Sequence, residues 1–464
     1  MKNRFNNITS KEWLPFQKSW FKYSNDEDLY NAHIRFFVKY DDPVNKPNIY
    51  YYGGQEDVLL KVAEKNRGNI VKDFNEPIQY AIVDLRDALN DIKTIDAYFK
   101  LKDNILLLVK ELFGILIERR FISIVIPNVF IDGKYFPLAW DISYAVATGF
   151  SLKDEKVGCV ENSSNKLLEN ESFYVLNFRK DENSAAKFID VKTELLENKN
   201  PVSKADCFNK QWGIIKPPQR NKKEILHPAK FPENLIRDFI GHYTAEGDNV
   251  FDPMSGTGST QVAAAQLGRN AYGTELSDFF AQIANERISE YLNPKQVSLF
   301  SEKRIQVDFK LLVKDVKEIK DDDFPVFDYI ITSPPYWDML NMKGAETQAT
   351  RRQKGLKVNY SDSENDLGNI SDYDAFIDEL VDIYLKLLEH LKKDGYITII
   401  VKNIKKKGRN YPFAWDLARR LSDKLHILPE FFWLQDDINL APYGYGNTFV
   451  SNTFHQYCLN FKKK

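Results

Sequence analysis

The run NVFDPMSGTGSTQVAAAQLGRNAYGTEL, residues 249–276, leaves a folding chain few choices. A short apolar strand meets a Gly-rich turn, an Ala-rich helix closes at Gly268, and a second strand ends at Glu275. This is the pattern of a βαβ unit in a doubly wound α/β sheet. Gly256 and Gly258 let the backbone approach a ligand at the turn, and the helix that follows offers free N–H groups at its start. Glu275, 23 residues after Asp252, falls at the tip of the second strand, where a carboxylate can bind both hydroxyls of a ribose. A nucleoside ligand is expected. No Gly-Lys-Ser/Thr follows the glycines, which argues against a phosphate loop, and an ordinary tight strand-to-helix turn is the structural alternative. Downstream, KLLVKDVKEI places Asp315 at the end of a third strand, either facing the ligand or as a solvated turn residue.

A second stretch carries the chemistry. FDYIITSPPYWDML, residues 327–340, runs an apolar strand into a serine, two prolines and two aromatic rings, which no continuing strand tolerates. The exocyclic amine of cytosine or adenine is a poor nucleophile, because its lone pair is delocalised into the ring. A hydroxyl at Ser333 and the carbonyl of Pro334 can accept its two N–H bonds and favour a pyramidal nitrogen, with Pro334 and Pro335 fixing the carbonyl's direction. Tyr336 can stack on a base swung out of its helix. The alternative is a proline-rich strand exit with packing aromatics.

The first segment resembles motif I of S-adenosylmethionine-dependent methyltransferases, and TSPPYW resembles motif IV of bacterial DNA amino-methyltransferases. The resemblance implies a Rossmann-like methyltransferase sheet with S-adenosylmethionine as cofactor. Asp252, Pro253, Ser255, Gly256 and Gly258 then surround its methionine part, Glu275 holds the ribose and Asp315 meets the adenine. HPAKFPENLIRDFI, residues 227–240, resembles motif X, which covers the methionine end and adds Phe231 and Pro232. Its alternative is a plain helix start with Pro232 in the first turn. The Ser form with a preceding Thr and a following Trp looks more like the cytosine-N4 enzymes than the adenine-N6 enzymes. Adenine-N6 DNA methylation, RNA methylation and a non-catalytic DNA-binding subunit remain as other readings. Relatives with Ser-Pro-Pro-Tyr commonly carry motif IV first, whereas here the order is X, I, IV.

The N-terminal part bears on that order. FISIVIPNVFIDGKYFPLAWDI (121–142) aligns without a gap on YITIIVKNIKKKGRNYPFAWDL (396–417) with eight identities, among them Asn128, Gly133, Trp140 and Asp141. VLNFRK (175–180) likewise matches CLNFKK (458–463). The reading is an internal duplication, with chance similarity within one fold class as the alternative. Asp84-Leu85-Arg86-Asp87 then falls where the second copy has Ser333 to Tyr336, so the first copy is expected to be catalytically dead. The expected layout is an N-terminal segment 1–74 of unclear role, a degenerate partial copy 75–182, a linker 183–226 and a catalytic domain 227–464.

Lys+Arg at 64 and Asp+Glu at 66 give a net charge of −2, so any nucleic-acid surface has to be local. The candidates are Trp337, Arg351 and Arg352 after motif IV, and Lys405, Lys406, Lys407 and Arg409 after the strand YITIIVKN; basic loops there can hold phosphates of double-stranded DNA, or be solvated surface. Three scattered cysteines argue against a disulfide framework or a zinc site, so no metal is expected. Without a signal or membrane segment, a cytoplasmic protein is expected. The duplication leads to a monomer whose dead copy stands where a second subunit would, and a restriction or defence-system partner is a further expectation.

Overall fold

The computed structural model describes residues 5–40, 46–164, 166–181, 201–216, 231–292, 306–337, 367–406, 409–436 and 453–464. The chain divides into two compact units. The first takes Met1–Gly213 with two later segments, Asn403–Pro412 and Leu434–His455; the second takes Ile214–Lys402, Phe413–Trp433 and Gln456–Lys464.

Nine strands belong to the first unit's main chain run: β1 (Trp20–Lys22), β2 (Asn48–Tyr52), β3 (Asn69–Val71), β4 (Ile78–Asp84), β5 (Leu116–Ile126), β6 (Val129–Ile131), β7 (Lys134–Phe136), β8 (Ser151–Val160) and β9 (Glu171–Arg179). Seven of them form one sheet in the order β3-β2-β4-β5-β9-β8-β1, and β6 and β7 pair as a separate hairpin. β2 runs parallel to β3 and β4, β4 parallel to β5, and β9 antiparallel to both β5 and β8. A core of aromatic side chains, Trp13, Phe36, Phe37, Tyr80 and Phe121 among them, fills one side of this sheet. The near-continuous apolar runs of β4 and β5 suit strands buried on both faces.

The chain then gives β10 (Trp212–Ile214), β11 (Asn249–Asp252), β12 (Asn270–Glu275), β13 (Phe309–Val313), β14 (Phe327–Thr332) and β15 (Leu391–Val401). A hairpin follows, β16 (Ile404–Lys406) with β17 (Arg409–Tyr411), and then β18 (Leu425–Ile427), β19 (Phe431–Leu434) and β20 (His455–Lys463). Their sheet has the order β13-β12-β11-β14-β15-β20-β19-β10, with β18 on β20. β11 is parallel to β12 and β14, β14 to β15, and β20 antiparallel to β15. The doubly wound α/β expectation holds: helices Glu233–Tyr243, Ser259–Gln266, Asp278–Leu292, Tyr373–Leu387 and Phe413–Leu421 alternate with the strands.

Two domain boundaries differ from those expected. No division falls at residue 74, because β2 pairs with β4 along Ile49–Tyr80 to Tyr52–Val83 and so belongs to the same sheet as the strands of residues 75–182. The expected catalytic domain also gives up residues 403–412 and 434–455 to the first unit. There Asn403 donates to both oxygens of buried Glu155, at 3.0 and 2.8 Å, and Lys405 pairs with buried Asp154.

Candidate active site

The parallel pair β11–β14 sets the site, with Phe251 beside Ile330. Both strands end at the same edge, so the Gly-rich turn after Asp252 and the tetrapeptide after Thr332 emerge side by side. Asp252 is fully buried and hydrogen-bonded three times: its carboxylate accepts from Thr332 Oγ1 at 2.8 Å, from Thr260 Oγ1 at 2.6 Å and from the Met254 N–H at 3.0 Å. Burial pushes its pKa up to about 6, and these three donors oppose the rise.

The turn needs its glycines. Gly256 has φ +53° and Gly258 φ +76°, and a Cβ on Gly258 would come within 2.8 Å of the Ala284 Cβ. Gly258 is the N-cap of the helix Ser259–Gln266. Ser255 is spent inside the turn, donating to the Asp252 carbonyl at 2.9 Å and accepting from Gln261 Nε2 at 2.8 Å. The Pro253 carbonyl accepts from Thr274 at 2.7 Å. Sequence reasoning placed both residues on the cofactor, whereas these bonds make them braces of the turn.

Glu275 ends β12 as expected. One carboxylate oxygen accepts the Gly256 N–H at 2.7 Å and the other the Ser277 N–H at 2.9 Å. Asp315 lies just past β13, whose Val313 pairs with Glu275, and its carboxylate caps the short helical turn Val316–Glu318 through the Lys317 N–H at 3.0 Å. Pro232 is buried at the N-cap of Glu233–Tyr243, with Phe231 half-buried beside it. Arg287 ties that helix to the turn, donating to Glu233 and to the Thr257 carbonyl.

Beyond Thr332, Pro334 is buried, while Ser333, Pro335 and Tyr336 are half-buried. The Tyr336 hydroxyl donates to Gln456 Oε1 at 3.0 Å, and the Lys402 ammonium lies 5.2 Å from the centre of its ring. Burial lowers the pKa of Lys402. Sequence reasoning missed Thr260, Thr332, Lys402 and Gln456. For Lys402 a signal existed: in the alignment of 121–142 with 396–417 it falls opposite Pro127, where the two stretches differ.

Two expected DNA contacts are corrected. Trp337 is only 4% exposed; its indole N–H donates to the Ser371 carbonyl at 3.2 Å and its ring meets Tyr373 edge-on, so it packs against the start of the helix Tyr373–Leu387. Lys405 pairs at 2.9 Å with the fully buried Asp154 and is taken up by that ion pair. Lys405 and Lys406, the latter half-buried, lie on β16, and Arg409, exposed against Tyr411, lies on β17, rather than on a loop. Arg351, Arg352 and Lys407 lie outside the described residues. Among the described residues no group of three His, Cys, Asp or Glu side chains could hold a metal, and no described helix is long and apolar enough to cross a membrane.

Residues 45–286, just over half of the chain, match the N6_N4_Mtase family, described as DNA methylase. The chain belongs to this DNA methylase family. The match runs through β2 to β5 of the first unit and on to the turn of the second, and it ends before Ser333. Among curated relatives, the orphan methyltransferase M.BamHII of Bacillus amyloliquefaciens is 41% identical over 91 residues, 18% of this chain and 34% of that protein. The type II methyltransferase M.MjaI of Methanocaldococcus jannaschii is 30% identical over 147 residues, 30% of this chain and 42% of that protein. The type II methyltransferase M.MthZI of Methanothermobacter thermautotrophicus is 44% identical over 64 residues, 14% and 18%. The chain thus spans less than half the length of each of these relatives.

Members of this family take their methyl group from S-adenosylmethionine, and the residues present fit it. The two left-handed glycines and the helix start at Ser259 make a close backbone approach, and the Glu275 carboxylate, steered by two backbone N–H groups, stands at the strand tip where a ribose diol would meet it.

Proposed function

We propose that the chain is a site-specific DNA methyltransferase that methylates an exocyclic base amine, cytosine N4, after flipping the base. The observation that carries this reading is the bond from Thr332 to Asp252: the residue before the tetrapeptide is hydrogen-bonded to the acid of the cofactor turn, so donor and acceptor sites share one wall.

In this reading Glu275 holds the ribose, and the Gly256–Gly258 turn and Phe231–Pro232 enclose the methionine part. Bound there, the cofactor supplies an electrophilic methyl on a sulfonium. Ser333 Oγ and the Pro334 carbonyl accept the two N–H bonds of the amine and draw its lone pair out of the ring. Ser333 and Pro334 would hold the amine as it takes the methyl, and the N–H proton it then loses would pass by way of the Ser333 hydroxyl to solvent. Tyr336 is held at its hydroxyl by Gln456 and has the Lys402 ammonium over one face of its ring, and the opposite face is the one that would stack on the flipped base.

The test is incubation of the pure protein with labelled S-adenosylmethionine and either DNA or RNA, followed by digestion and identification of the modified nucleoside. N4-methylcytosine in DNA is expected. N6-methyladenine would move the substrate base and keep the mechanism, whereas label in RNA alone would overturn the DNA reading.

A further inference from the structure

The two units repeat one another in detail well beyond strand order. Ile49 stands beside Tyr80 as Val250 stands beside Tyr329, which matches β2 with β11 and β4 with β14. At matched positions the same polar side chains meet. Tyr80 donates to Ser123 and Ser123 to Asn177 at 2.6 and 2.5 Å; Tyr329, Thr398 and Asn460 make the same chain at 2.7 and 2.8 Å. Trp140 donates to Tyr174 at 3.0 Å, and Trp415 to Tyr457 at 3.1 Å. Tyr98 bonds Asp141 as Tyr373 bonds Asp416, at 2.5 and 2.7 Å. Asn69 donates to Asn48 at 2.9 Å, and Asn270 to Asn249 at 2.9 Å. The last pair lies on β2 and β3, outside the partial copy the sequence suggested, and it extends the repeat over the cofactor turn.

That register shows what the first unit lacks. Tyr51 stands at the position of Asp252, Gln55 at Gly256, Asp57 at Gly258, Phe74 at Glu275, and Asp84 at Ser333. Side chains also fill the space. The Tyr51 hydroxyl accepts the Gln55 N–H at 3.1 Å and lies 3.0 Å from the Tyr30 hydroxyl, which donates to Asp84 at 2.9 Å; Arg86 pairs with Asp84 and Asp26, at 2.5 Å each. The counterpart of the cofactor cradle is therefore plugged by the chain itself.

The target side is different. Where β4 and β5 end, the strand ends that in the other copy carry Ser333 and Lys402, the first unit keeps a cavity of about 1010 Å³. Phe130 and the cations Arg86, Lys93 and Lys134 line it, against Asp132 and Glu171. An aromatic ring beside lysines suits an unstacked base with its phosphates.

We infer that the first unit is a second copy of the methylase fold, without a counterpart of β13 or of the helix Asp278–Leu292 before it, that has lost methyl-donor binding and kept a site for an unstacked nucleotide of DNA. This rests on the DNA reading above. Calorimetry of the full chain with S-adenosylmethionine is expected to count one site, lost in Gly258→Asp; a second site overturns the plugged cradle. Fluorescence anisotropy with a labelled DNA duplex is expected to show affinity roughly tenfold weaker in Lys93→Glu/Lys134→Glu, with cofactor affinity kept as a check on folding. A DNA strand carrying 5-iodocytosine is expected to crosslink to the peptide containing Phe130. Wild-type affinity in the folded double variant, or no crosslink within the first unit, overturns the site. A chain that binds DNA in this way but methylates nothing would sink the methyl-transfer reading alone.

Discussion

Thr332, the last residue of β14, donates its hydroxyl hydrogen to Oδ1 of Asp252, the last residue of β11, across 2.8 Å in a fully buried setting. The bond couples the two turns on which the reaction is proposed to depend. Thr332→Val keeps the shape and the strand propensity but removes the donor. About 1–2 kcal/mol of stability should be lost, because a buried carboxylate oxygen loses one of its partners. Single-turnover methyl transfer should slow by about tenfold as the tetrapeptide loosens against the cofactor turn. Chemical denaturation and rapid-quench assays read the two effects; wild-type values in both would show that the bond couples nothing.

Gly258 sits at φ +76° with Ala284 where its Cβ would go. Gly258→Ala should cost about 1–2 kcal/mol from the left-handed backbone alone, and adding Ala284→Gly should recover only the part due to crowding. Gly258→Asp adds a charge where the cofactor lies, so S-adenosylmethionine binding by calorimetry should vanish while the far-ultraviolet spectrum stays native. Unchanged affinity in the folded variant would remove the cofactor assignment.

The elements that were legible in the sequence carry strong local signals. The Gly-rich turn, its helix and the acid at Glu275 follow from backbone needs that only certain residues meet, and Pro334–Pro335 ends a strand by chemistry. What stayed hidden depends on partners distant in sequence. Lys405 reads as a surface cation until Asp154, some 250 positions earlier, takes it, and Trp337 reads as exposed until Ser371 and Tyr373 cover it. The first unit's share of the fold was also obscured, since β2 and β3 keep the packing residues and the Asn48–Asn69 pair but none of the ligand-facing ones.

Burial raises the Asp252 pKa to about 6, whereas an unfolded carboxylate titrates near 3.9. Between these values the folded state holds the extra proton, so stability should fall as pH rises from about 4 to 6 and level off above, by roughly 2–3 kcal/mol. Asp252→Asn, which cannot ionise, should flatten this part of the profile. Denaturant melts across pH 4–7 on both proteins check the sign through the difference between the two profiles; a stability of the wild type relative to Asp252→Asn that climbs through the window would contradict it.

Ser333→Ala removes one of the two proposed acceptors and should lower turnover by about 10²–10³, with cofactor affinity unchanged. Tyr336→Phe loses only the bond to Gln456 and should slow the reaction mildly. Tyr336→Ala loses the stacking face and should also weaken DNA binding, by roughly 1–3 kcal/mol. The contrast between the two Tyr336 variants, followed by 2-aminopurine fluorescence at the target position, separates ring stacking from hydroxyl chemistry; equal defects would argue against a stacking role.

Asp84, at the position of Ser333, is 5% exposed and serves Arg86 and Tyr30 instead of a substrate. Asp84→Ala strips one of two carboxylate partners from a largely buried guanidinium, leaving Asp26, and should destabilise the first unit by about 1–3 kcal/mol. Asp84→Ala/Arg86→Met removes the guanidinium as well but takes a partner from Asp26, and should regain only part of that loss in a double-variant cycle. Neither change touches Asp252, the glycine turn or Ser333, so single-turnover transfer with DNA saturating should stay near wild type below the unfolding transition. Loss of chemistry in the folded Asp84→Ala protein would mean that the first copy takes part in the reaction and is not a dead one.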